Sequence, residues 1–292
     1  MKPAPFDYYA PASLSDVVAL LQRLENDAID AKVLAGGQSL LPMLSLRVAR
    51  PEALVDLRKL ADLNYIREEG DTLAIGAMTT KSAVEDSPLV QRRQPLLHAA
   101  TRLVGHRQIR NRGSFGGSFT QADPASEYPA AAIALDMELK VVGPDGERRV
   151  AAQDFFITYM TTDLDTTEVL TEIRVPALPA GTGWSFQEIA RRHGDFAMAG
   201  VAVTLRVENG VCRAPRIVAF GVGATALRLP EAEQVVDGKA LDSALFQEAG
   251  HAGAAALEEP SSDVHASADY RRQLVAVLVA RGLAEAVARS AA

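Results

Sequence analysis

Ala31-Lys32-Val33-Leu34-Ala35-Gly36-Gly37-Gln38-Ser39-Leu40-Leu41 sets a glycine pair between a short β-forming run and residues that can open a helix. Such a loop is either a tight turn or a cradle whose unblocked backbone N–H groups face a phosphate. A second pair stands in Arg112-Gly113-Ser114-Phe115-Gly116-Gly117-Ser118, with Asp123 and Glu127 just beyond it. Carboxylates near a phosphate cradle suit ribose or ribityl hydroxyls rather than phosphate. The two loops together favour a nucleotide diphosphate over two unrelated turns.

Working outward, the pattern is mixed. Ser13 and Asp16 cap a run with apolar residues at helical spacing, which predicts a first helix. Residues 31–34 and 53–57 read as strands joined through the first glycine loop, and 64–67 and 72–75 as a hairpin about Glu68-Glu69-Gly70-Asp71. Helices are expected from near Thr80 and Pro95 and again after Asp123-Pro124-Ala125-Ser126-Glu127, then strands at 137–142, 147–150 and 169–175. The Pro/Gly-rich stretch 176–183 is the best boundary in the chain. After it come three strands, at 184–191, 196–207 and 211–220, with Asn209-Gly210 as a type I′ turn. From Pro230 onward the pattern is helical, and Ser267 is placed to cap the last helix. The expected domains are therefore 1–177, in two subdomains of about 1–57 and 58–177, and 178–292.

Composition narrows the function. The chain has 292 residues, of which 48% are apolar, enough for real cores. Its formal charge of −7 offers no broad basic face to nucleic acid. The N-terminus lacks the apolar run of a signal peptide, and no stretch reaches the ~18 apolar residues of a membrane span, so a cytoplasmic location is expected. Cys212 stands alone, so the chain by itself holds no iron–sulfur cluster, and its five histidines show no metal-binding spacing. Gly221-Val222-Gly223 begins like a dinucleotide fingerprint but lacks the third glycine, and reads as a turn after a strand. No P-loop motif occurs.

The string 34–42 with Leu54-Val55-Asp56-Leu57-Arg58, the string 109–118 with 122–129, and Ala190-Arg191-Arg192-His193-Gly194-Asp195-Phe196-Ala197 resemble three ordered motifs of one family. It is the FAD-binding medium subunits of molybdenum hydroxylases, which includes carbon monoxide dehydrogenase and the flavin domain of xanthine dehydrogenase. The resemblance covers almost the whole chain. It implies an α+β fold: a PCMH-type FAD-binding unit of two α/β subdomains, followed by a three-stranded antiparallel sheet with a helical bundle. It also implies noncovalent FAD, held at the first loop by Lys32, Val33, Leu34, Ala35, Gly36, Gly37, Gln38, Ser39 and Leu40. Ser114, Gly116, Gly117 and Ser118 would contact the diphosphate and ribityl region, with Val104 upstream. Asp123 and Glu127 would meet hydroxyls, and Asp195 and Phe196 would lie by the isoalloxazine. There are no catalytic residues or metal ligands on this chain in that reading.

The implied function is electron relay. Substrate would be oxidised at a molybdenum cofactor in a large subunit, and electrons would pass through two [2Fe–2S] clusters of a small subunit to FAD and an external acceptor. The resemblance implies a heterotrimer or a dimer of heterotrimers, with an N-heterocycle, a purine, an aldehyde or CO as the substrate of the large subunit. The rival readings are a stand-alone FAD oxidase of the same superfamily and a scaffold that has lost its flavin. Gln38 stands where the wider superfamily often has histidine, and Gln187 where some relatives have lysine.

Overall fold

The computed structural model describes residues 2–290. At its N-terminal end β1 (Asp7–Tyr9), α1 (Leu14–Asn26), β2 (Ala31–Leu34), α2 (Leu40–Leu46) and β3 (Ala53–Asp56) form a parallel sheet in the order β1-β3-β2. Ser13 caps α1, its hydroxyl accepting the Asp16 amide at 3.1 Å. The helix lays Val17, Leu21 and Leu24 on Ala53, Val55 and Leu57 of the sheet. A connection between parallel strands must cross over, and the first glycine loop with α2 is that crossover. β1 was not expected: three residues with exposed Tyr8 among them carry no alternation to read.

The next part contains β4 (Ile66–Glu69), β5 (Thr72–Gly76), α3 (Lys81–Asp86), α4 (Pro88–Arg93), α5 (Pro95–Leu103), α6 (Arg107–Arg110), α7 (Phe115–Gln121) and α8 (Glu127–Ala134). It continues through β6 (Glu138–Gly143), β7 (Gly146–Ala151), α9 (Ala152–Phe155), the small hairpin β8 (Phe156–Thr158) and β9 (Thr161–Thr162), and β10 (Val169–Pro176). The antiparallel sheet runs β4-β5-β10-β6-β7, so the last strand of this part is its centre. Leu73, Ile75, Leu139, Val141, Ile173 and Val175 share one core with Phe115, Phe119 and Tyr128. The Phe115 ring packs edge-on against both others, at 5.0 and 4.8 Å. Every residue of α8 is buried, because a helix apolar on all sides needs cover on all sides.

Helix α5 covers one side and the C-terminal part another, where β11 (Thr182–Ala190), β12 (Ala197–Glu208) and β13 (Val211–Phe220) form an antiparallel meander. Asn209 and Gly210 both have positive φ, 53° and 77°, as the expected turn requires. The expectation of three strands needs correction. A fourth, β14 (Leu227–Arg228), pairs with Val218 and Ala219 as a two-residue edge too short to leave a periodic signal. α10 (Pro230–Val236), α11 (Ser243–Ala255) and α12 (Ala268–Ser290) cover one face, and Ser267 accepts the Tyr270 amide at 3.2 Å. Phe186, Ala202, Val218 and Phe220 on the other face join the aromatic core of the preceding part. Among the described residues, no helix is long and apolar enough to cross a membrane and no side-chain group could hold a metal ion.

Candidate functional site

The two glycine loops meet. The Gly36 amide points to the Ser114 hydroxyl at 3.4 Å, and a Cβ on Gly36 would lie 2.4 Å from the Arg112 carbonyl oxygen. Only a residue without a side chain lets the two backbones approach this closely. Gly37 has φ of +73°, which turns the chain from β2 into α2. The Leu41 amide closes onto the Gly37 carbonyl at 3.0 Å. Gln38, Ser39 and Leu40 thus lie in a turn before any helical hydrogen bond can claim their amides. Gln38 folds back, its side-chain amide donating to the Gly36 carbonyl at 3.3 Å.

The second loop is held from behind by the segment after β5. Phe115 donates to the Thr79 carbonyl at 2.7 Å, Gly116 to that of Ala77 at 2.9 Å, and Lys81 to that of Gly113 at 2.9 Å. These bonds divide the two glycines of the pair. The Gly116 amide is consumed, and a Cβ there would sit 2.5 Å from that of Ala77. Gly117 faces the other way, onto Ser114 and Ala35.

Between the loops lies a cavity of about 220 Å³. It is lined by Lys32, Val33, Ala35, Gly36, Gly37, Gln38, Ser39 and Leu40 from the first loop and by Ser114, Gly117 and Ser118 from the second. A neighbouring cavity of about 210 Å³ shares Lys32, Val33, Ala35, Gly117 and Thr120, so the groove continues past the junction of the loops. The fit to a diphosphate rests on this cradle: glycines that let the two loops close on one another, amides left bare in the turn, and a Ser39 hydroxyl that makes no capping bond.

Not every expected residue reaches the cavity. Leu34 is buried against Leu44 and Leu54, because alternation along β2 turns it inward. Gly116 lines only the neighbouring cavity, with its amide spent. Val104 belongs to the aromatic core and Glu127 is buried at the start of α8, and neither lines a cavity here. Both side chains are packed inside the protein in this structure. Glu127 carries an acidic side chain that pattern alone places on the surface.

Asp123, Asp195 and Phe196 come together elsewhere, on a cavity of about 760 Å³ that also has Arg191, His265 and Arg271 in its wall. Asp123 accepts the Ala125 amide at 2.9 Å, and burial holds its carboxyl above the ordinary range. Phe196 is 63% exposed, so it is not a core aromatic. The loop that carries it packs on the other half of the chain: Gly194, at φ +87°, leaves room for the His106 ring, and His106 stacks on His193 at 6.2 Å. Gln187 donates to Glu285 at 2.8 Å and lines none of these cavities.

Sequence reasoning missed Lys81, Gly113, Thr120 and Gln121 in the wall of the first cavity. Lys81 follows the helix-capping Thr80 and has no local mark of a site residue. Electrostatics set it apart. Burial pushes its ammonium down, the Glu127 carboxylate opposes that, and Arg110 adds to it. Burial raises Glu127, and it also raises Glu188 on β11 to about 8, with the Glu127 charge adding a smaller share. Burial thereby holds both carboxyls toward their neutral forms.

Two family profiles account for the chain. One described as the FAD binding domain in molybdopterin dehydrogenase matches residues 4–178, and one described as the CO dehydrogenase flavoprotein C-terminal domain matches residues 184–286. The chain is similar to the carbon monoxide dehydrogenase medium chain of Hydrogenophaga pseudoflava, at 44% identity over 292 residues and all of both chains. It is also similar to the 6-hydroxypseudooxynicotine dehydrogenase complex subunit alpha of Paenarthrobacter nicotinovorans, at 39% identity, covering 99% of this chain and 97% of that one. A solved carbon monoxide dehydrogenase from Hydrogenophaga pseudoflava, lacking the Mo-pyranopterin moiety, superposes with a TM-score of 0.95 at 44% identity and 99% coverage of both chains.

Proposed function

This chain belongs to the family of FAD-binding medium subunits of molybdenum hydroxylases, and we propose that it receives electrons from an iron–sulfur subunit and delivers them to an external acceptor. FAD supplies the redox chemistry, taking electrons singly and releasing them as a pair. The chain's own residues hold it. Amides of the first loop and Gly117 with Ser118 of the second grip the diphosphate, while Asp123, Asp195 and Phe196 flank the ring end from the larger cavity. The observation that carries this reading is the backbone junction of Gly36 with Ser114, which makes one cradle of two loops distant in sequence.

The flavin is noncovalent in this proposal. Gln38 offers no nucleophile and is engaged with its own loop, which counts against a self-contained oxidase with a bonded flavin. Relatives named for carbon monoxide and for 6-hydroxypseudooxynicotine keep near-full-length similarity to this chain, so substrate choice is assigned to a molybdenum-bearing large subunit. A small subunit with two [2Fe–2S] clusters completes a cytoplasmic heterotrimer or dimer of heterotrimers. Purification under native conditions with metal analysis and acid precipitation tests the whole reading. Expected are two co-purifying chains with molybdenum and iron, and yellow colour released to the supernatant. A lone chain whose flavin stays in the acid pellet would reverse it.

A further inference from the structure

Two cations are buried beside the second glycine loop, and they differ in one respect. Arg110 is fully partnered: it donates to Glu85 at 2.8 Å and to the carbonyls of Val104 and Gly105 at 3.0 and 2.8 Å. Lys81 is only 8% exposed, yet among the described residues its ammonium makes no hydrogen bond and no ion pair. Its stem runs beneath the loop, with Cε 3.3 Å from where a Cβ on Gly113 would stand. The Tyr128 ring lies 5.7 Å from Nζ, close enough for a weak cation–π attraction but not a counter-charge. Lys81 also lines the cavity between the loops.

We propose that Lys81 is the counter-ion of the FAD diphosphate, supplying a buried positive charge to a cradle whose other lysine, Lys32, is solvent-exposed. This rests on the FAD reading above. Lys81 is mostly buried, its Nζ is not sealed from the cavity it lines, and a dianion bound there would give the ammonium the partner that the protein does not. Glu127, the nearest carboxyl to act on Lys81, is itself raised by burial, which weakens it as a competing partner. The apo chain therefore keeps a cation in reserve for the ligand.

The test is FAD titration of the full chain, followed by flavin fluorescence, for the parent, Lys81→Met, Lys81→Arg and Lys81→Met with Glu127→Gln. Lys81→Met should weaken FAD by about 10- to 100-fold, the worth of a charge-assisted bond. ADP-ribose, which has the diphosphate without the flavin, should lose as a competitor by the same factor. Thermal stability of the apo variant should hold or rise, since a buried charge is gone. Lys81→Arg should recover most of the affinity. A purely structural lysine would instead lower melting temperature and affinity together. Parent-like FAD binding in Lys81→Met, or its restoration by adding Glu127→Gln, would overturn the proposal and assign Lys81 to Glu127. A parent chain that takes up no FAD would overturn the cofactor reading as well.

Discussion

The Gly36 amide reaches the Ser114 hydroxyl at 3.4 Å, and a Cβ on Gly36 would come within 2.6 Å of the Ser114 amide nitrogen. The obstacle is backbone on both sides, so it cannot move aside as a side chain would. Gly36→Ala should part the two loops and lower FAD affinity by about tenfold or more. Equilibrium dialysis with FAD measures this, and affinity equal to the parent's would show that the loops need not touch.

Gly116→Ala should act differently from Gly36→Ala. A methyl there meets Ala77 Cβ at 2.5 Å and Ala77 Cα at 2.9 Å, inside the packing that supports the loop. Overpacking of this kind costs about 1 to 3 kcal/mol. The apo melting temperature should fall, with FAD affinity following only through the loss of fold. Unchanged melting with lost FAD would return Gly116 to the list of direct contacts.

Burial raises Glu188 to about 8 from an ordinary value of 4.5. The folded chain keeps a proton that the unfolded chain releases, so the stability due to Glu188 is complete below pH 4.5 and is lost as pH climbs toward 8. Glu188→Gln should melt like the parent near the acidic end of that window and about 2 °C or more above it at the alkaline end. Parallel melting curves across the window would refute the shift.

Phe196 is an exposed ring at the wall of the larger cavity. Phe196→Ala should leave stability within about 0.5 kcal/mol, as exposed substitutions do. Iodide should then quench bound flavin fluorescence more steeply, since a shield has been removed. Equal quenching in both chains would place the flavin ring away from Phe196.

The strands beside the glycine loops, the Ser13 and Ser267 caps and the Asn209-Gly210 turn were legible because each obeys a rule confined to a few residues. The order β4-β5-β10-β6-β7 was not legible, since β10 enters the middle of its sheet from far along the chain. Nor was the two-residue β14 at the edge of the last sheet.

By itself the sequence determined where the chain can turn from β2 into α2, because positive φ at Gly37 is a local demand, whereas the lack of a side chain at Gly36 answers to the second loop, more than 70 residues away. Tertiary structure alone decided which groups in the cradle between the loops remain to be used. The segment 77–81 runs behind the second loop and takes the Gly116 amide while leaving that of Gly117. The same fold buries Glu127 at the start of α8 and seats Lys81 in the wall of the groove. Hydrogen-bond saturation and burial depend on neighbours brought from elsewhere in the chain, and no short pattern records them.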